Sequence, residues 1–225
     1  MKKLFIFDFD GTLVDTIKDV GICFNKALSF YGFETYPIDY YSKAVGGNLD
    51  TIFSNLLKKD DRNPENIEKL KNKYRELYLN DKKPNTVPFD GIKDVLKKLK
   101  RKGYHVAINT NKAQTLVDDL CSEKFSDVKF DNVVGFTDDR PSKPDPYGVN
   151  ELLKLHNVSK EETVYIGDGL TDIETARNAL VDCVFVTWGQ GKKSLSRDER
   201  VSFVAKSPSD ILSFIKPRGV KCEKN

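Results

Sequence analysis

Asp8 and Asp10 stand one residue apart at the end of the run Phe5-Ile6-Phe7, and Gly11 follows them. The run is apolar and aromatic, as a buried strand of a parallel sheet should be. A strand alternates its faces, so side chains two residues apart point the same way while the strand lasts. Both carboxylates then approach one small volume at a strand's carboxyl end, where open α/β sheets place their ligands. Two anions held that close repel, and a cation or a shared proton relieves them. The plainer alternative is a strand entering an Asp-Gly turn with both carboxylates in water. Asp8 lies inside the hydrophobic run, where an unpaired carboxylate is costly, which weighs against that alternative.

Three later stretches carry comparable chemistry. Thr110, in Ile108-Asn109-Thr110-Asn111-Lys112, offers a hydroxyl to a phosphoryl oxygen, or caps the helix after it. Lys143 lies among Pro141, Pro144 and Pro146, which stiffen the backbone around one cation more than a solvated lysine requires. Asp168 and Asp172, in Gly167-Asp168-Gly169-Leu170-Thr171-Asp172, follow the apolar run Val164–Ile166. Asp172 can also be read as a favourable charge at a helix N-terminus. The segment Gly189-Gln190-Gly191-Lys192-Lys193-Ser194 imitates a phosphate-binding loop, but position 186 is Val where glycine is needed and Lys193 replaces Ser/Thr.

Elements must position these groups. After Asp15 the pattern turns helical, with Thr16 as N-cap, Ile17, Val20, Phe24, Ala27, Leu28 and Tyr31 at helical spacing, and Gly32 as the stop. Further helical series run from Leu49 to Leu57 and, after first-turn Pro64, from Ile67 to Tyr78. No strand is expected from Thr16 to about Thr86. A helix follows over Ile92–Leu99, ended by Gly103. Strands at Val106–Asn109, Val133–Val134, Val164–Ile166 and Cys183–Val186 then alternate with helices at Ala113–Cys121, Tyr147–Leu155 and Thr171–Leu180. Ser207 and Pro208 open a last helix. The expected fold is α/β: a Rossmann-like parallel sheet, interrupted by an all-helical insertion. Residues 1–15 and 88–225 read as the core, 16–87 as a helical cap hinged at two linkers, and 217–225 as a frayed tail.

The first stretch, Asp-Phe-Asp-Gly-Thr-Leu-Val-Asp-Thr, resembles the first motif of the haloacid dehalogenase-like hydrolase superfamily, and the three later stretches resemble its remaining motifs in order. The resemblance implies that Asp8 is a nucleophile and Asp10 a general acid/base. It gives Thr110 to the transferring phosphoryl group and Lys143 to neutralising Asp8. Asp168 becomes a metal ligand, and Asp172 ligates the metal or holds its waters. Mg²⁺ is the implied cofactor, bound by Asp8, Asp10 through its main-chain carbonyl, Asp168 and Asp172, since hard oxygen donors favour it over zinc. Gly11 and Asn111 are implied to hold substrate oxygens. The branch resembled is that of phosphoglycolate phosphatases with a helical cap, through Asn111-Lys112, Val87-Pro88-Phe89-Asp90-Gly91 and Thr187-Trp188-Gly189.

The expected activity is Mg-dependent hydrolysis of a small phosphorylated metabolite, such as 2-phosphoglycolate, through an aspartyl phosphate. A pyrophosphatase or a β-phosphoglucomutase-like phosphomutase shares the core residues, although Val45-Gly46-Gly47-Asn48-Leu49 lacks an arginine to anchor a second phosphate. Dehalogenases lack an equivalent of Asp10. A receiver-like phosphoacceptor module fits neither the length, the helical insertion nor the late Gly-Asp-x-x-x-Asp.

Composition bounds the rest. With 37 Lys+Arg against 34 Asp+Glu, the 225-residue chain is too evenly charged to suggest nucleic acid or an acidic membrane surface. Cys23, Cys121, Cys183 and Cys222 are scattered and read as free thiols of a cytoplasmic protein. His105 and His156 lack zinc-spaced neighbours and read as structural. The expected assembly is a monomer or homodimer.

Overall fold

The computed structural model describes residues 1–45 and 48–214. Six strands form one parallel sheet: β1 (Leu4–Phe7), β4 (His105–Ala113), β5 (Asn132–Phe136), β6 (Thr163–Gly167), β7 (Asp182–Val186) and β8 (Phe203–Ala205). Their order is β5-β4-β1-β6-β7-β8. All four residues of β1 are buried, because helices cover both faces of its sheet. Phe5 and Phe7 join one apolar cluster with Leu96, Val106 and Ile166, while Leu4 and Ile6 join the other with Leu152, Tyr165 and Ile173. The two-residue alternation along β1 thus holds the sheet to both layers.

The chain leaves β1 on the β4 side and later crosses to β6, so β1 is flanked by strands reached in opposite directions. Such a reversal opens a crevice at the strand's carboxyl end. Asp8 enters it directly: its N–H still donates to the Ile166 carbonyl at 2.8 Å, one step past the last residue of β1.

Between β1 and β4 lie α1 (Ile17–Phe30), α2 (Ile38–Ala44), α3 (Leu49–Leu56) and α4 (Pro64–Asn80). They build a separate cluster around Phe24, Tyr41, Phe53, Leu70 and Tyr74. Phe24 stacks on Tyr41 at 5.6 Å and on Tyr74 at 4.3 Å, and Tyr74 stacks on Tyr78 at 5.4 Å. This line of rings ends against the sheet domain. The two linkers pair with each other as β2 (Val14–Asp15) and β3 (Val87–Pro88), an antiparallel ribbon with Val14 opposite Pro88.

Helices α5 (Ile92–Arg101), α6 (Gln114–Lys124), α7 (Tyr147–His156) and α8 (Leu170–Ala179) complete the sheet's two layers. Several local expectations are corrected. Thr16 occupies the N-cap of α1, but its side chain makes no capping bond; Asp15 accepts from the Ile17 N–H instead, at 3.1 Å. Helix α2 was not expected, since its Tyr-Tyr pair obscures the helical spacing. β4 runs four residues beyond Asn109, because Ala113 pairs with Phe136 after a register shift. The segment opened by Ser207 is a five-residue 3₁₀ turn, Pro208–Leu212, with Asp210 accepting from the Ser207 N–H at 2.9 Å. β8 is too short to show a period in the sequence.

Cys23, Cys121 and Cys183 are free thiols, while Cys222 and the tail 217–225 lie outside the described residues. His105 and His156, distant in sequence, meet with ring centroids 4.3 Å apart. Among the described residues no helix is long and apolar enough to cross a membrane.

Candidate active site

Three strands and one helix converge at the crevice. β1 delivers Asp8, β4 delivers Thr110, β6 delivers Asp168, and the first turn of α8 adds Asp172. Oxygens of Asp8, Asp168 and Asp172 lie within 4.8 Å of one another, and all three residues are buried. Such a cluster cannot hold three uncompensated negative charges. Lys143 supplies one cation: its Nζ stands 2.8 Å from Asp8 Oδ1 and 2.7 Å from Asp172 Oδ1, with 5% of the side chain exposed. Burial disfavours the ammonium, but Asp172 and Asp8 outweigh it and hold its pKa well above the ordinary lysine value.

The compensation is incomplete. Burial, then Asp172, push Asp8 up to about 6 against the pull of Lys143. Burial, then Asp172 and Asp8, push Asp168 up to about 7. Three carboxylates facing one ammonium leave a site one cation short, with hard oxygen donors that suit a small divalent ion.

The sequence placed Asn111 on a substrate oxygen. Its side chain clamps the backbone of Lys143, accepting from the Lys143 N–H at 2.8 Å and donating to the Lys143 carbonyl at 3.0 Å. This amide holds the loop that aims the ammonium. Thr110 is 5% exposed, and its hydroxyl accepts from the Lys112 N–H at 3.3 Å. It does not cap α6, which begins at Gln114.

Gly11 has φ +81°, and its N–H donates to the Val14 carbonyl at 2.9 Å, so that donor is already engaged. What the position requires is space. A Cβ on Gly11 would stand 2.6 and 2.7 Å from the two Asp168 carboxylate oxygens. Asp168 Oδ2 also accepts from the N–H groups of Gln190 at 2.8 Å and Gly191 at 3.0 Å, and Thr12 donates to Oδ1 at 3.3 Å. The loop after β7, which imitates a phosphate-binding loop in sequence, binds an anion of this same chain. Asp172 divides its oxygens, Oδ1 to Lys143 and Oδ2 to the Gly169 N–H at 2.9 Å. Its helix-terminal and site roles therefore coexist.

The carboxylate of Asp10 is not in the three-Asp cluster. Strand geometry ends at Phe7, and Asp10 turns to Lys112, whose Nζ lies 3.0 and 3.2 Å from its oxygens. Lys112 has 4% of its side chain exposed and also donates to the Tyr78 hydroxyl of α4 at 2.9 Å. Lys112 is therefore a site residue beyond those the sequence marks. Its signal was its position two residues after Thr110, the spacing that keeps one side of a strand.

A family model described as haloacid dehalogenase-like hydrolase matches residues 5–186. The phosphoglycolate phosphatase of Aquifex aeolicus (strain VF5) is 29% identical over 218 residues, covering 95% of this chain and 96% of that protein. The phosphoglycolate phosphatase of Aliivibrio fischeri (strain ATCC 700601 / ES114) is 28% identical over 192 residues, covering 83% and 85%. A crystal structure from Lactobacillus delbrueckii subsp. bulgaricus superposes with a TM-score of 0.87 at 25% identity, covering 96% of this chain and 99% of that one. A haloacid dehalogenase-like family hydrolase from Streptococcus pneumoniae shares the fold, with a TM-score of 0.83 at 24% identity, 95% of this chain and 98% of that one being covered.

Proposed function

The chain belongs to the haloacid dehalogenase-like hydrolase family and is a phosphatase, and from that premise we propose that it hydrolyses a small phosphomonoester of the 2-phosphoglycolate type, with Mg²⁺ and through an aspartyl phosphate on Asp8. The observation that carries this reading is the buried Lys143 ammonium shared by Asp8 and Asp172 at the end of the central strand. A cation there lets a phosphate dianion approach a carboxylate that would otherwise repel it.

Asp8 attacks phosphorus in line, and the bond to the leaving alcohol breaks as the new P–O bond forms. Asp10, held by Lys112, protonates the departing oxygen. It then takes a proton from the water that cleaves the acyl phosphate and releases inorganic phosphate. The Thr110 hydroxyl, buried on β4, donates to a phosphoryl oxygen. Asn111 serves by holding Lys143, and Gly11 by leaving room for Asp168. Asp8, Asp168, Asp172 and the main-chain carbonyl of Asp10 are the groups that would hold Mg²⁺, which supplies charge neutralisation when bound. Residues 16–87 act as the cap, closing over the core of 1–15 and 88–225 about the β2–β3 ribbon.

The test is phosphate release from 2-phosphoglycolate, pyrophosphate and a panel of sugar phosphates, with Mg²⁺ and with chelator. Chelator-sensitive preference for 2-phosphoglycolate is expected. Preference for pyrophosphate, or isomerisation of a sugar phosphate without net release, overturns the substrate class.

Metal binding has its own signature in pH. Asp8 and Asp168 sit near 6 and 7, above their ordinary 3.8, so the metal-free folded protein binds more protons than the unfolded chain between about pH 4 and 7. Their contribution to stability is full below pH 4 and is lost as pH rises through 6–7. Bound Mg²⁺ favours the ionised forms, so the gain in Tm from Mg²⁺ over chelator should grow steadily from pH 4 to pH 7. Other carboxylates cancel in that difference. A gain that is flat across the range rules out these two as ligands.

A further inference from the structure

Two buried lysines meet in the seam between helices and sheet, with a single carboxylate paired to them. Lys112 answers Asp10. Lys83, on the turn between α4 and β3, is 5% exposed, and its ammonium donates to the Asp81 carbonyl at 2.9 Å. Among the described residues no carboxylate comes within 4 Å of Lys83 Nζ. The neighbouring acids are engaged elsewhere. Asp81 pairs with Lys26 at 3.2 Å, and buried Asp19 accepts from the Asn85 N–H, the Asn85 side-chain amide and the Thr86 hydroxyl.

Both ammonium groups lean on one ring: Lys112 Nζ is 4.7 Å and Lys83 Nζ 4.8 Å from the Tyr78 centroid. Burial, then the like charge of Lys112, hold the Lys83 pKa below its ordinary value. Lys83 also has φ +49°, a left-handed backbone that a side chain rarely adopts. An unneutralised buried cation is costly unless something anionic visits it.

We propose that Lys83 and Lys112, both packed against Tyr78, form a subsite for a carboxylate carried by the leaving group of the substrate. The inference rests on the function proposed above, since Asp10 marks the leaving-group side and Lys112 touches Asp10. The substrate class is then a phosphomonoester whose alcohol bears a carboxylate close to the ester oxygen. Such a carboxylate supplies the charge that the pair lacks, and it enters when the helices and sheet part.

The test compares 2-phosphoglycolate with 2-hydroxyethyl phosphate, which has the same chain length and no carboxylate. Wild type should favour 2-phosphoglycolate in kcat/KM, and Lys83→Met should shrink that ratio by about tenfold or more, chiefly through KM. Lys83→Arg should restore part of it. A ratio unchanged in Lys83→Met, with both rates lowered together, makes Lys83 structural and overturns the subsite. Equal use of the two substrates by wild type overturns it while leaving the phosphatase chemistry standing, whereas no release from either with Mg²⁺ present is failure of the underlying function. Where Lys83→Met does not fold, product inhibition of wild type decides. Glycolate should inhibit at concentrations where ethylene glycol does not, and equal inhibition overturns the proposal.

Discussion

Asp8→Asn is expected to lower phosphate release by roughly four orders of magnitude or more while the melting temperature holds or rises. A carboxamide cannot form the acyl phosphate, so no alternative nucleophile carries the first step. Stability should not suffer, because the carboxylate being removed is buried against Asp172 and Asp168 and is pushed up to about 6 by burial first and by Asp172 next. Lys143 keeps its bond to Asp172 at 2.7 Å, so its ammonium is not orphaned. Steady-state phosphate release, a thermal melt and an intact mass measured on the same sample make the check, the mass excluding deamidation back to Asp. Retained turnover in a sample of the correct mass would remove Asp8 as nucleophile.

Gly191→Ala should be nearly as damaging, although the residue carries no chemistry. A Cβ there would stand 1.6 Å from the Asp168 carbonyl oxygen and 2.7 Å from its carbon, both main-chain atoms that cannot step aside. The loop has to move, and the N–H groups of Gln190 and Gly191 then leave Asp168 Oδ2. Donors of this kind orient a metal-binding carboxylate, and losing them weakens metal affinity by roughly 10–100-fold. Activity titrated against Mg²⁺ should show half-saturation displaced by that factor, with an accompanying loss of about 1–3 kcal/mol in urea unfolding. An unchanged half-saturation would mean that the loop serves only to close the sheet edge.

The residues legible in the sequence are those whose position follows from a strand ending. Asp8 directly follows an apolar run, Thr110 and Asp168 each follow one after a single residue, Asn109 and Gly167, and Lys143 is marked by its flanking prolines. What escaped depends on contacts between distant segments. Lys112, with Asn111, carries the family resemblance and also suits a surface loop, and its role shows only where Tyr78 from α4 and Asp10 from the β1 loop meet it. The clamp of the Asn111 side chain on Lys143 likewise joins segments 32 residues apart. Gly189-Gln190-Gly191 does not fit a phosphate-loop pattern, yet the N–H groups of Gln190 and Gly191 hold an anion, the carboxylate of Asp168. Asp10 was placed with Asp8 by strand alternation, a rule that stops applying at Phe7. Helical periodicity located α1, α3 and α4, and it failed for α2, where bulky rings occupy both faces of seven residues.

The central position of β1 has a consequence for biosynthesis. Its neighbours are residues 105–108 of β4 and 163–166 of β6, so the strand emerges from the ribosome about a hundred residues ahead of one partner and some hundred and sixty ahead of the other. At roughly 5–20 residues per second, the second partner arrives about ten to thirty seconds later. Until β4 arrives, Leu4, Phe5, Ile6 and Phe7 carry two unpaired edges, and until β6 arrives they carry one, the kind of segment that recruits other nascent chains. Lys2 and Lys3 before it, and Asp8 and Asp10 after it, bracket the segment with charge of opposite sign. Flanking charges discourage strand stacking during synthesis. The two aspartates would then guard the growing chain before they serve the finished site.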